Sequence, residues 1–195
     1  MRPLSEKVAA IAPSATIEIS NAAKRMAQEG LDVISLSIGE PDFDTPGHIT
    51  DACIGALHRG ETHYAPSAGI PALTSAIAEK ITRENGFAAE QDEVIVTCGA
   101  KDAIYEAMEA VLNPGDEVLI LDPAWVSYEP CVQLAGAVAR HHALSPSTFQ
   151  VDDSLLEAVG ARTKMIVVNS PSNPSGAVLD GDSLRLIADV CRDHD

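Results

Sequence analysis

Three short stretches carry side chains or backbone groups that could do chemistry, and each follows an apolar run. In "CGAKDAI" a glycine and a small residue lead straight into a helical pattern. Backbone N–H groups of Gly99, Ala100 and Lys101 would point outward there, with the positive end of a helix dipole behind them. That arrangement is a phosphate cradle, or simply a tight turn that needs Gly99; the pattern is neither GxGxxG nor GxxxxGK[ST]. In "DPAWVSY" the only tryptophan, Trp125, lies just past a strand-like run. It is either core packing or a plate for a planar ligand. In "NSPSNPSG" two asparagines stand among prolines and serines. Asn169 and Asn173 can each donate and accept hydrogen bonds, and Pro174 favours an extended Asn173. Capping of loop backbone is the alternative. Together the three offer a cradle, an aromatic plate and a rigid amide, a set that suits a flat, phosphorylated ring.

Other chemistry is poorly served. Cys53, Cys98, Cys131 and Cys191 are far apart and form no CxxC pair, which argues against a zinc or redox motif and for buried free thiols in a reducing compartment. His141 and His142 are adjacent in "AVARHHAL". Strand alternation puts them on opposite faces, so they cannot share one ion; no metal is expected.

The elements that must position these residues alternate in type. The first 45 residues read as an arm and linker. They hold a helix over "ATIEISNAAKRMAQEG" stopped by Gly30, a short strand "VISLSI" and the turn-rich "GEPDFDTPGH". Over 46–195, "GHITDACIGALHRG" predicts a helix, and a second helix opens at Pro71. Then come the strand "EVIVT", the helix "AKDAIYEAMEAVL", the strand "EVLILD" and a loop plus helix in "PAWVSYEPCVQLAG". The strand "AVARHHAL", the helix "DDSLLEAVGA" and the strand "KMIVVN" follow, and the last helix is capped by Asp180 or Asp182. The near-continuous apolar runs "EVLILD" and "KMIVVN" predict strands buried on both faces. The fold class is α/β: a mainly parallel sheet sandwiched by helices. In such sheets ligands bind outside the carboxyl ends of the strands, where all three stretches stand.

Composition narrows the partners. The 195 residues are 46% hydrophobic and 22% charged, as in an ordinary globular protein. Twenty-nine acidic against 13 basic residues give a formal charge of −16, a surface that repels nucleic acid and anionic lipid. The excess of acid, with few lysines, also suits a salt-rich cytoplasm. No run reaches the roughly 20 apolar residues of a membrane span, and the N-terminus shows no signal-peptide pattern, so a cytoplasmic protein is expected.

The ordered set "SIGEPDFDTP", "YAPSAGIPAL", "VTCGAKDAI", "NPGDEVLILDPAWVSYE" and "VVNSPSNPSG" resembles the N-terminal portion of class I/II aminotransferases. These are aspartate-aminotransferase-like, fold-type I enzymes dependent on pyridoxal 5'-phosphate. The resemblance covers essentially the whole chain, and the set in order is far more specific than any one motif. It implies an incomplete large cofactor-binding domain over 46–195, a small-domain arm over 1–45, and a homodimer at full length. It implies amino-group transfer between an amino acid and a 2-oxo acid, with aspartate as the default substrate and aromatic or alanine-type substrates close behind.

The same resemblance assigns roles. Gly99, Ala100 and Lys101 would cradle the cofactor phosphate; Ala100 and Lys101 stand where hydroxyl residues are common, so backbone donors carry more of the contact. Trp125 would stack on the pyridine ring. Asn173 would donate to the phenolic oxygen and help bind the substrate carboxylate, which leaves Asn169 structural. Gly39 would place its backbone against that carboxylate. Tyr64 would reach the cofactor phosphate of the neighbouring subunit, its alternative being a half-buried packing tyrosine.

The family's Schiff-base lysine, the acidic partner of the pyridine nitrogen and the carboxylate-gripping arginine are not matched. Lys7, Lys24, Lys80, Lys101 and Lys164 all stand in other contexts. The expectation is a fragment, inactive and aggregation-prone alone. Two other readings stand beside it: a lyase or synthase with the same half-site, and a non-catalytic domain that binds a phosphorylated ligand or a partner chain.

Overall fold

The computed structural model describes residues 3–194, apart from the Ala15 side chain. The chain divides into two compact units: Met1–Ala12 with Ala100–Asp195, and Pro13–Gly99. The division falls at 12/13 and 99/100, and position 45/46 lies inside the second of these.

The unit containing Ala100–Asp195 is built on three strands: β1 (Glu117–Asp122), β2 (Val138–Ala143) and β3 (Thr163–Val167). All pair in parallel, in the order β2-β1-β3. Its helices are α1 (Glu6–Ala10), α5 (Ala100–Val111), α6 (Tyr128–Leu134), the short α7 (Leu155–Ala158) and α8 (Gly181–Asp193).

Strand alternation builds two cores. Val118 and Ile120 face Met108 and Leu112 at the end of α5 and Tyr128, Cys131 and Val132 of α6. Leu119 and Leu121 face Leu155, Leu179, Ile187 and Val190. Helices therefore cover both faces of β1, which explains its unbroken apolar run. β3 is only half-buried, because β1 is its sole paired neighbour among the described residues. Its expected burial on both faces is corrected accordingly.

Local chemistry sets the ends of these elements. Asp180, not Asp182, caps α8, accepting from Ser183 N at 2.8 Å. A hydrogen bond from Lys7 Nζ to Leu134 O, 2.9 Å long, joins α1 to the end of α6. α1 itself was not anticipated, although Ser5 caps it.

The other unit, Pro13–Gly99, holds α2 (Ala15–Gln28), α3 (Gly47–His58), α4 (Pro71–Asn85) and one 3-10 turn (Gln91–Glu93). These helices stand where expected, with Gly30 and Gly60 at positive φ just past α2 and α3. Two expected strands are absent: "VISLSI" and "EVIVT" carry no ladder. A strand needs a hydrogen-bonded neighbour, and the backbone bond that "EVIVT" makes to a distant segment runs from Val96 N to Ala68 O at 2.9 Å, its others being local turns. Gly69 allows that approach, since a Cβ there would meet Val96 Cγ2 at 2.8 Å and its φ is +115°. Ile34 and Leu36 of "VISLSI" remain exposed.

The cysteines also differ from expectation. Cys131 is buried, whereas Cys53, Cys98 and Cys191 are exposed.

Candidate functional site

The strand order makes a crevice. From β1 the chain crosses to β2 on one side, then returns past β1 to β3 on the other. Such a reversal leaves an opening between the carboxyl ends of β1 and β3, the usual ligand position in open parallel sheets. The loop after β1 carries Trp125, and the loop after β3 carries Asn169 and Asn173. Ser172 Oγ lies 3.5 Å from Pro123 O, joining the two loops.

The β3 loop is held from within. Asn169 Oδ1 accepts from Asn173 N at 2.8 Å, so the Asn169 side chain sets the Asn173 backbone. Ser172 N donates to Ala177 O, and Gly176 N donates to Ser172 O at 2.8 Å. Gly176 takes φ +72°, a conformation that suits glycine. Ser170 Oγ accepts from Leu179 N at 3.0 Å, tying the loop to the segment before α8. With its backbone pinned, Asn173 presents its side chain at the surface.

Trp125 is half-buried and packs edge-on against the ring of Tyr128, with centroids 5.5 Å apart and planes at 88°. The Lys101 ammonium lies over the indole, 5.1 Å from its centroid, a cation–π distance. Lys101 belongs to the first turn of α5, whose opening N–H groups have no intrahelical acceptor. Gly99, the residue before α5, has φ +92°, which turns the chain into the helix; its N donates to Thr97 O at 2.8 Å and its O accepts from Thr97 Oγ1 at 2.9 Å.

Burial beside this corner shifts two groups. It pushes the Tyr128 hydroxyl above its ordinary pKa. It does the same to the Cys131 thiol, with the Lys101 charge pulling the other way. Both therefore stay protonated and uncharged near neutral pH.

Lys101, Trp125 and Asn173 thus belong to one unit, and the loops of the last two touch. Gly39, Tyr64 and Gly99 belong to the other unit. Tyr64 is fully exposed, at 107% of its reference area, so it is not the half-buried packing tyrosine held open as its alternative. Two contacts escaped sequence reading. Lys101 reaches Trp125, a contact between residues far apart in sequence. His141 ties to Asp122 at the end of β1, 2.9 Å from Nδ1 to Oδ2, although the parity of "ARHHA" did separate it from His142.

Comparison with known proteins agrees with this architecture. Residues 31–195 match the family model described as aminotransferase class I and II. The chain is 45% identical over 197 aligned positions to the aspartate/prephenate aminotransferase of Thermus thermophilus, covering 100% of this chain and 51% of that protein. It is 44% identical to the aspartate aminotransferase of Geobacillus stearothermophilus, covering 98% and 49%. Among solved structures, aspartate aminotransferase from Thermus thermophilus with maleate superposes with a TM-score of 0.96 at 45% identity, covering 100% of this chain and 52% of that one. The Rhizobium meliloti aspartate aminotransferase gives 0.92 at 41%, covering 100% and 49%. The chain spans about half the length of the curated relatives it matches. Ordered motifs, parallel sheet and family match coincide, and the chain belongs to the class I and II aminotransferase family.

Proposed function

We propose that this chain supplies the cofactor-holding wall of a pyridoxal-phosphate-dependent aminotransferase, which moves an amino group between an amino acid and a 2-oxo acid. The observation that carries the reading is the crevice between the ends of β1 and β3. There the Trp125 and Asn173 loops meet through Ser172 and Pro123, with the Lys101 ammonium against the indole.

The donor set fits the group. A phosphate would take the first N–H groups of α5 and the Lys101 charge, with Gly99 and Ala100 forming the turn. The Lys101 ammonium lies over the indole, and a phosphate at the α5 terminus would draw that ammonium toward itself. Trp125 then sets the ring plane. When bound, pyridoxal phosphate supplies an electron sink for the substrate's α-carbon. Asn173, by donating to the phenolic oxygen, favours its anionic form. Its pinned backbone matters because a displacement of about 1 Å at a reacting centre can cost roughly a hundredfold in rate. Each residue assigned in this unit binds or orients; none is assigned a proton transfer.

By the family resemblance Gly39 is assigned to the substrate carboxylate, as are Asn173 and Trp125, and Tyr64 to the phosphate held by a second copy in a homodimer. The full exposure of Tyr64 supports that role. Residues 1–45 serve as the small-domain arm and 46–195 as part of the large domain; the exposure of Ile34, Leu36 and Phe43 in the arm supports this. Aspartate is the default amino donor, supported by the names of the relatives. The enzyme works in amino acid metabolism in the cytoplasm, a placement supported by four cysteines with no disulfide among them.

Fluorescence of Trp125 tests the reading directly, because it is the only tryptophan. Pyridoxal phosphate should quench it saturably, inorganic phosphate should compete, and unphosphorylated pyridoxal should bind far more weakly. Equal quenching by pyridoxal and its phosphate would remove the cradle from the proposal.

A further inference from the structure

We propose that His141 is a positioning residue for the Trp125 loop, its imidazole tying both ends of Pro123–Ser127 to the edge strand β2. The loop leaves β1 at Asp122 and enters α6 at Tyr128. His141 Nδ1 lies 2.9 Å from Asp122 Oδ2, at the departing end. His141 Nε2 lies 3.6 Å from Glu129 Oε2, at the arriving end. Glu129 is itself steadied, since Gln133 Nε2 donates to its other oxygen at 3.0 Å.

Geometry explains why β2 can do this. His141 pairs in register with Ile120, so its side chain stands beside β1 two residues before the strand ends. Alternation sends His142 to the other face, where Nε2 comes within 3.5 Å of Ser154 Oγ. One ring thus spans what neither carboxylate spans alone. Other ties also hold the loop: the bonds from Tyr128 N to Trp125 O and from Cys131 N to Ser127 O, the Trp125–Tyr128 ring contact, the Lys101 ammonium over the indole, the packing of Ala124 and Trp125 on the core, and the Ser172 link; none of these joins the loop to β2. An exposed side-chain contact of this kind adds little to global stability. Two of them acting on one short loop restrict where its tryptophan can point, and orientation is what a stacking plate requires.

This rests on the reading of Trp125 as the plate for the cofactor ring, but its test does not. Acrylamide quenching and fluorescence anisotropy of Trp125 report loop mobility in the unliganded chain. His141→Leu should raise quencher access on the order of two- to fivefold, at temperatures well below unfolding and with unchanged far-ultraviolet dichroism. His141→Asn places an amide donor near the Nδ1 position and should restore most of the protection. Adding Asp122→Ala to His141→Leu should change nothing further, because both remove the same tie. If His141→Leu folds poorly, Glu129→Ala should raise access in the same direction. The proposal is overturned if Trp125 mobility stays at the wild-type level in His141→Leu, or in both Glu129→Ala and Asp122→Ala, whatever their melting temperatures. Pyridoxal phosphate affinity, followed by the cofactor's own absorbance, separates the two ideas. A looser Trp125 with unchanged affinity upholds the clamp and removes Trp125 from the cofactor site.

Discussion

Asn173 shows how a loop residue becomes a ligand candidate through its neighbour. The Asn169 side chain accepts from the Asn173 backbone at 2.8 Å, so one asparagine spends its amide on structure and leaves the other's exposed. Asn173→Ala should therefore lower pyridoxal phosphate affinity about tenfold, the loss expected for one hydrogen bond to a charged oxygen, with little change in melting temperature. Asn169→Ala should do the reverse in kind, loosening the loop first and the ligand second. Comparing the melting curve with the binding isotherm for the pair distinguishes the roles.

Elements respond to different forces. α8 begins at an aspartate whose carboxylate accepts from Ser183 N, and that backbone bond, followed by the Ser183 side chain, lowers the Asp180 pKa. A depressed folded-state pKa means stability that is present above the ordinary carboxylate pKa and lost as pH falls through the lower folded value. Asp180→Ala should lower the thermal midpoint at neutral pH, and the gap from wild type should close as pH drops below about 4. The α7–α8 face of the sheet is governed by packing. Leu155 is wholly buried against Leu119 and Val190 in that core, so Leu155→Ala should cost about 2–5 kcal/mol in denaturant titration.

At the scale of the whole molecule, charge and uncovered apolar surface compete. A net charge of −16 on 195 residues repels itself, and salt screens that repulsion over about 10 Å at 0.1 M. Raising sodium chloride should raise the thermal midpoint. Leu36, 93% exposed, Ile34, 87%, and Phe43, 86%, are apolar side chains in water, and β3 offers a half-buried edge. Such features promote association. The same salt should therefore increase light scattering, and Leu36→Lys should reduce it without moving the midpoint. Equal scattering from the two chains would place the sticky surface elsewhere.

The sequence by itself determined what depends on neighbours a few residues apart. Helical spacing and punctuation by Gly30, Gly60 and Pro71 placed α2, α3 and α4, because caps and turns are local. The apolar run "EVLILD" announced a strand covered on both faces, and alternation alone separated His141 from His142. Motif order further identified the family. Tertiary structure decided everything that needs a distant partner. "EVIVT" and "VISLSI" have strand composition, yet they lack a ladder because a strand exists only by pairing. Asp180 won the cap over Asp182 through the path by which the chain enters α8. The meeting of Lys101 with Trp125, and of His141 with Asp122 and Glu129, arises from strand order and register, and neither is written in any local pattern.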